Sequence, residues 1–169
     1  MNILLSIKPE YTKKIFSGEK KYEFRRQRPV SIIDMVLVYE SAPSKNIVGW
    51  FTVKRILTGS PKDIWERCKN SGGIERKEYF AYCNDKKVIY ALEIDSILQF
   101  RAPINPFEIC SDFRPPQNFS YLDNSPIFNE IKIILGISKE SDQKIEPQTP
   151  SPYTTSLQNW NDELRLDTL

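Results

Sequence analysis

The stretch "SGEKKYEFRR", residues 17–26, decides how the first part of this chain folds. Gly18 follows a segment with helical spacing and suits the C-terminal cap of a helix. After it, apolar and charged residues alternate, which predicts a strand whose Tyr22 and Phe24 enter the core. Glu23 and Arg25 then share the opposite face. Two interpretations of that face stay open: a solvated ion pair, or the floor of a binding site.

Pro and Gly residues mark the ends of the other predicted elements. The sequence predicts strands at 2–8, 20–28, 35–40, 47–59 and 87–100, helices at 9–18, 60–70, 74–83 and 125–136, and a helical turn at 107–110. Gly49, inside the longest strand, indicates a bulge or a close backbone approach. This order predicts an α+β fold: a small curved β-barrel of about five mainly antiparallel strands with flanking helices.

The C-terminal part of the chain has a different composition. Residues 137–169 lose the apolar periodicity and consist mainly of Ser, Thr, Gln, Pro and acidic residues. This composition predicts a mostly disordered polar tail after a folded domain at 1–136. Trp160 has no core to join in such a tail, so we expect it to dock on a protein partner.

Composition argues against several kinds of site. The chain contains no His, and its three Cys (Cys68, Cys83 and Cys110) are widely spaced without a Cys-x-x-Cys pair. We therefore expect no metal site, no disulfide framework and no cofactor. The N-terminal stretch does not have the form of a signal peptide, and no apolar run approaches the ~20 residues that span a bilayer. These features predict a cytoplasmic protein without a membrane partner.

Basic residues are concentrated near the start of the chain, although the net charge is only +2. A local positive field favours phosphate groups, whereas the net charge alone does not indicate nucleic acid. An ordinary solubilising surface explains the same concentration. The residues are Lys8, Lys13, Lys14, Lys20, Lys21, Arg25, Arg26 and Arg28.

Four stretches together resemble a known family. They are "LLSIKPEYTKKIFSGEKKYEFRR" (4–26), "VGWFTVKRILTGSPKDIWE" (48–66), "GGIERKEYFAYCNDKKVIYALEI" (72–94) and "FRPPQNFSYL" (113–122). In this order they resemble the ASCH domain family of the PUA-like superfamily, in particular the bacterial and archaeal members described as predicted transcriptional regulators. The hallmark Gly-x-Lys-x-x-Glu-x-Arg element is present as Gly18, Lys20, Glu23 and Arg25.

The resemblance implies a PUA-like barrel whose cleft is lined by this element and binds RNA or a nucleotide-like ligand. It implies a regulatory role in transcription or RNA metabolism. The alternative is a hydrolase in which Lys20 is the general base and Glu23 its partner acid. In the branch that resembles amidohydrolases of acetylated cytidine, a Thr stands where this chain has Glu23, and a carboxylate does not replace a hydroxyl nucleophile. Ribonuclease activity stays open, and a third alternative is a protein-interaction module that acts through the tail.

Further ligand-binding candidates lie outside the hallmark element. Lys8 ends the first strand and can reach the same cleft mouth. In "VYESAPSK", residues 38–45, Tyr39 is a candidate for stacking on a base and Ser41 offers a hydroxyl. Alternation equally places Tyr39 in the core. In the Pro-rich loop Arg114 is the ligand candidate, and we expect the neighbouring aromatic side chains to close the open side of the barrel.

Overall fold

A curled, mixed β-sheet carries the helices of this protein. The computed structural model describes residues 1–29 and 32–134. In these residues the strands are β1 (Asn2–Ile7), β2 (Tyr22–Arg25), β3 (Met35–Glu40), β4 (Asn46–Gly59), β5 (Ile89–Ile104) and β6 (Phe119–Tyr121), and the helices are α1 (Pro9–Phe16), α2 (Pro61–Cys68), α3 (Arg76–Cys83), α4 (Pro106–Ile109) and α5 (Pro126–Ile134). The predicted tail and Trp160 lie outside the described residues, so the division into 1–136 and 137–169 stays a prediction.

The strands form an α+β half-barrel in the order β2-β5-β4-β3-β1-β6, which confirms the predicted fold class. Neighbouring strands are antiparallel except β1 and β3, which run parallel with Asn2 opposite Met35. The structure adds a strand, β6, in the stretch predicted to be a Pro-rich loop. Only residues 119–121 pair with β1 there. So short a run carries too little alternation to indicate a strand.

Alternation along the strands sorts the buried apolar side chains of the described residues into three clusters. Ile3 and Leu5 belong to the first cluster, inside the curled sheet. Leu4, between them, faces the second cluster, which α5 covers. The third cluster joins Phe24 of β2 to Tyr79 of α3 and to side chains of α2. β2 is an edge strand of the sheet. Because Phe24 packs into the third cluster, the face of β2 that carries Glu23 and Arg25 is free to line a site.

The helices begin where proline predicts. Pro9, Pro61 and Pro126 are the first residues of α1, α2 and α5. Ser60 caps α2, because its hydroxyl accepts a hydrogen bond from the backbone N–H of Asp63 at 3.2 Å. Among the described residues, no helix has the length and apolar character required to cross a membrane.

Gly49 confirms the predicted close approach within the longest strand. A Cβ at this position would lie 2.3 Å from the carbonyl oxygen of Leu98 in β5. The pairing register of β4 also shifts here. Only a residue without a side chain fits where the two strands come this close.

Candidate functional site

A cleft of about 510 Å³ opens between the end of β1, the edge strand β2 and helix α3. This volume lies within the range of about 300–1,000 Å³ that is typical of ligand pockets. The charged residues of the hallmark element, at positions 20, 23 and 25, line it. The aromatic rings that line it are those of Tyr11, Phe24 and Tyr82.

Glu23 lies between two cations in this cleft. Its Oε1 accepts a hydrogen bond from Nη2 of Arg25 at 2.8 Å, and its Oε2 lies 3.5 Å from Nζ of Lys20. The three residues are only 3–7% exposed. The solvated ion pair considered from the sequence is therefore wrong, whereas the predicted shared face of Glu23 and Arg25 is present. Buried charges of this kind are costly to desolvate and are concentrated at functional sites.

The loop between α2 and α3 holds Lys20 in place. The carbonyl groups of residues 71–73 accept hydrogen bonds from α1 and from the segment that leads into β2. The donors are the backbone N–H of Lys21 (2.7 Å), Nζ of Lys20 (2.8 Å) and Nζ of Lys14 (3.1 Å). Gly73 has a φ of +63°, and a Cβ there would lie 2.7 Å from Cβ of Lys20. The loop therefore needs glycine both for its backbone conformation and for its contact with Lys20.

The environment of Lys20 is apolar on one side and anionic on the other. Its Nζ lies 4.8 Å from the ring centre of Phe24 and 5.3 Å from that of Tyr11. Burial lowers the pKa of the Lys20 ammonium below its ordinary value of 10.5, and the charge of Glu23 opposes this effect. A lysine with a lowered pKa can release its proton more readily than an exposed lysine.

Arg25 joins the two edges of the sheet. Besides its bond to Glu23, it donates to the carbonyl of Asn118 through Nη1 at 3.2 Å and to that of Ser6 through Nη2 at 3.4 Å. Its Nε is buried and has no hydrogen-bond partner within residues 1–29 and 32–134. Leaving a buried donor unpaired costs about 1–3 kcal/mol, so the atom is well suited to an acceptor on a ligand.

The cleft residues missed from the sequence include three on helices α1 and α3, namely Tyr11, Glu78 and Tyr82. The Tyr11 hydroxyl donates to Oε2 of Glu78 at 3.3 Å, and burial together with the Glu78 charge raises the pKa of Tyr11 to about 12. The Tyr82 hydroxyl donates to the carbonyl of Phe24 at 3.0 Å. Tyr11 was assigned only to the helical pattern of α1. Glu78 and Tyr82 could have been found from the pattern of α3, in which apolar and charged residues are mixed around the helix instead of forming one buried face.

The structure brings some predicted site residues together and separates others. Lys8 lines the cleft from its exposed rim, where it pairs with Glu10 at 3.7 Å. Gly18 follows the C-terminal cap of α1 with a φ of +78° but does not line the cleft. Ser41 and Arg114 also lie outside its lining.

Tyr39 is not at the cleft. It is 3% exposed and belongs to the second cluster, on the opposite face of the sheet from the first. Its partner in the parallel pairing is Ser6, and Leu37 two positions earlier faces the same cluster. The core alternative given by strand alternation is therefore the correct one.

The cleft offers two buried cations and a buried carboxylate, the exposed ammonium of Lys8 at its rim, and the carboxylate of Glu78 with two phenol hydroxyls at its sides. Guanidinium and ammonium groups bind phosphate oxygens, and carboxylates accept from the amino groups of bases. Within the described ranges, no three His, Cys, Asp or Glu side chains are grouped so that they could hold a metal ion. The half-barrel thus carries, at its open side, a cleft in which buried charges lie beside aromatic rings.

Residues 1–111 match the family model described as "Domain of unknown function (DUF365)", and the chain belongs to this family. A Zymomonas mobilis protein named "ASCH domain-containing ribonuclease" is 28% identical over 126 residues, which cover 70% of this chain and 82% of that protein. The crystal structure of ASCH from Zymomonas mobilis matches 78% of this chain and 94% of its own, with a TM-score of 0.71 and 25% identity. The predicted ASCH domain and PUA-like fold are confirmed.

A second relative contains a similar segment within a longer protein. The large ribosomal subunit protein uL22 of Ureaplasma parvum is 30% identical over 121 residues, which make up 71% of this chain. The chain spans only 39% of that protein's length. The likeness therefore concerns one segment of the relative and not its whole length.

Proposed function

We propose that this ASCH domain binds single-stranded RNA and takes one nucleotide into the cleft. The observation that carries the proposal is the buried group of Lys20, Glu23 and Arg25 in a cavity of about 510 Å³. A nucleotide of a single strand offers a base whose face stacks on aromatic rings and whose edge forms hydrogen bonds, next to a charged phosphate. The cleft contains a partner for each of these parts.

Each cleft residue has a role in this proposal. Nε of Arg25 donates to an oxygen of the ligand, because it is buried and unpaired among the described residues. Lys8, exposed at the rim, contacts the phosphate. Tyr11 and Tyr82 flank the base, and Glu78 accepts from its amino groups. Glu23 keeps the two buried cations in position.

The name of one relative supports an RNA ligand. The Zymomonas mobilis protein, of which the matching region covers 82%, is called a ribonuclease. We extend the RNA connection to this chain as part of the proposal. The regulatory role in transcription or RNA metabolism and the cytoplasmic location, both predicted from the sequence, belong to the same proposal.

RNA cleavage is the second candidate, and the lowered pKa of Lys20 favours it. In the reaction, neutral Nζ of Lys20 takes the proton of the ribose 2′-hydroxyl, and the 2′-oxygen forms a bond to the adjacent phosphorus. The bond from phosphorus to the 5′-oxygen breaks, and that oxygen takes a proton from water. The products are a 2′,3′-cyclic phosphate and a free 5′-hydroxyl. Arg25 stabilises the negative charge that develops on the phosphate oxygens.

Binding is tested with a labelled single-stranded RNA by fluorescence anisotropy over a range of salt concentrations. Arg25→Lys keeps the charge but lacks the planar fork, so we expect the dissociation constant to rise about tenfold or more. Arg67→Lys, at an exposed position of α2, is the matched control and should bind like the wild type. Absence of RNA binding by the wild-type protein at every salt concentration would refute the proposal.

Cleavage is tested by following the same RNA on a sequencing gel and by mass spectrometry of the products. If Lys20 is the base, Lys20→Met abolishes turnover while an RNA methylated at the 2′-oxygen stays intact in the wild type. If freshly prepared protein binds the RNA but no cleavage product forms, the binding function is supported and the enzymatic function is refuted.

A further inference from the structure

A second, smaller cavity lies between the segment that follows β2 and strand β4. Its volume is about 270 Å³. Arg28, Lys54 and Arg55 supply its polar lining, and Val53 and Ile56 supply apolar walls. Arg28 ends the basic stretch of the sequence, whose local positive field favours phosphate groups, and the proposed function does not use this cavity.

The second cavity has an excess of positive charge. Lys54 and Arg55 share one carboxylate, because Glu93 lies 3.8 Å from Nζ of Lys54 and 2.5 Å from Nε of Arg55. Arg28 is exposed and forms no ion pair with any other residue that the structure describes. Three exposed cations with one counter-charge attract an anion.

The two cavities are joined by a short and fixed piece of chain. Arg25 lines the first and Arg28 the second, so their Cα atoms are at most about 11 Å apart by the reach of three residues. Between them, the guanidinium of Arg26 lies 5.5 Å from the ring centre of Tyr82, and Oε1 of Gln27 accepts from Asn118 at 2.8 Å. The segment 25–28 is thus tied to both sides of the cleft.

We infer that the second cavity binds the backbone phosphate of an RNA nucleotide next to the one held in the cleft, with Arg28 as its main contact. This inference rests on the proposed RNA binding and adds a path for the strand. Phosphate contacts fix the position of a strand without reading its sequence, and each one adds to the salt dependence of binding. The path passes along the exposed side of segment 25–28.

If the second cavity binds a phosphate, the loss of RNA affinity caused by Arg28→Ala should depend on RNA length. The shorter RNA, a single nucleotide, fills the cleft without extending along the path, whereas the longer RNA, a decanucleotide, reaches the second cavity from either direction. Binding of both RNAs is measured by fluorescence anisotropy for the wild type, Arg28→Ala, Lys54→Ala and the control Arg67→Ala. We expect Arg28→Ala to weaken decanucleotide binding about tenfold and to lower the slope of log K against log salt by about 0.7, with no change for the single nucleotide.

Other outcomes separate this inference from the proposed function. If the wild type binds both RNAs and Arg28→Ala weakens neither, the second cavity is not a phosphate site and RNA binding in the cleft still holds. If Arg28→Ala weakens the binding of both RNAs equally, Arg28 belongs to the first site, and the proposed phosphate site in the second cavity is refuted. If the wild type binds neither RNA, the proposed function fails and the inference fails with it. Lys54→Ala should show a smaller, equally length-dependent loss, because Glu93 already neutralises part of its charge.

Discussion

Nη1 of Arg25 in edge strand β2 donates a hydrogen bond to the backbone carbonyl of Asn118, 3.2 Å away, just before edge strand β6. These strands stand at opposite ends of the sheet order, so a single side chain connects the two edges across the open side of the half-barrel. The cleft lies next to this connection, and Gln117 beside Asn118 also lines it. The shape of the cleft therefore depends on Arg25 as well as its charge.

Arg25→Lys should loosen the β6 edge without breaking the ion pair to Glu23. Lysine presents one ammonium where arginine presents a fork, so it cannot reach Glu23, Ser6 and Asn118 together. We expect faster hydrogen–deuterium exchange in residues 117–121, measured by mass spectrometry, and little change elsewhere. Arg114→Lys, at an exposed position of the same loop, is the control. Unchanged exchange in 117–121 would show that the edge is held without Arg25.

Glu23→Gln should be the most destabilising neutral replacement within the buried group. Glu23 is the counter-charge of two buried cations, so its loss leaves Lys20 and Arg25 uncompensated and costs about 3–5 kcal/mol of unfolding free energy. Lys20→Met removes one cation but leaves Glu23 paired with Arg25, so we expect a smaller loss of about 1–2 kcal/mol. Urea denaturation followed by circular dichroism measures both.

The exposed pair of Glu66 and Lys69 supplies the control for this comparison. Glu66→Gln removes a carboxylate 2.5 Å from an ammonium at the surface, and we expect no measurable change. If Lys20→Met lowers the unfolding free energy more than Glu23→Gln does, Glu23 is not the residue that compensates the two cations.

Gly73→Ala should disturb Lys20 through a backbone position fifty-three residues away in sequence. An alanine at φ +63° is strained by about 1–2 kcal/mol. Its Cβ would also lie 2.7 Å from Cβ of Lys20, which adds about 1–3 kcal/mol of overpacking. Gly18→Ala is a matched control, because Gly18 has a φ of +78° and nothing within 4 Å of its Cβ position. Equal losses of unfolding free energy in the two variants would contradict the proposed contact.

Local patterns in the sequence were sufficient for much of the fold and for part of the site. Alternation over 22–25 placed Glu23 and Arg25 on one face, and proline positions marked the starts of three helices. These features depend on residues that are neighbours in sequence. The burial of Lys20 could not be predicted in the same way, because it depends on the carbonyl of Gly72 and on the lack of a side chain at Gly73.

The wrong and missed predictions also arise because the deciding contacts are made by residues distant in sequence. Tyr39 lies on the same strand face as Leu37. A period of two residues shows that they share a face but cannot decide whether that face meets the core or a ligand. Glu78 and Tyr82 lie on a helix without a clear apolar face, so their position beside Tyr11 follows only from how α3 packs. β6 exists because β1 offers it an edge, not because its three residues favour a strand on their own.

The contribution of Tyr11 to the stability of the protein should fall as pH rises through the window between its unfolded and folded pKa values. In the unfolded chain this tyrosine ionises near its ordinary pKa of 10.0, whereas in the folded protein burial and Glu78 raise the pKa to about 12. Between these values the unfolded chain holds fewer protons, so the unfolding free energy decreases as pH rises. Below pH 10 both states keep the proton and the effect is absent.

Tyr11→Phe isolates this effect. The difference in unfolding free energy between wild type and variant should decrease through the window and stay constant at lower pH. Lys20 acts in the opposite sense, since its pKa is lowered on folding, but it is present in both proteins and cancels in the difference. Urea titrations at a series of pH values give the comparison. A difference that stays constant through the window would show that the Tyr11 pKa is not raised.

Helix α5 should be an integral part of the fold although it lies beyond the 1–111 region that matches the family model. Ile131 is 1% exposed in the second cluster, so Ile131→Ala should cost about 2–4 kcal/mol of unfolding free energy. Ile133 on the same helix is 66% exposed, and Ile133→Ala should change stability by less than about 0.5 kcal/mol. Urea denaturation distinguishes the two variants, and similar small effects in both would show that α5 does not pack on the sheet in solution.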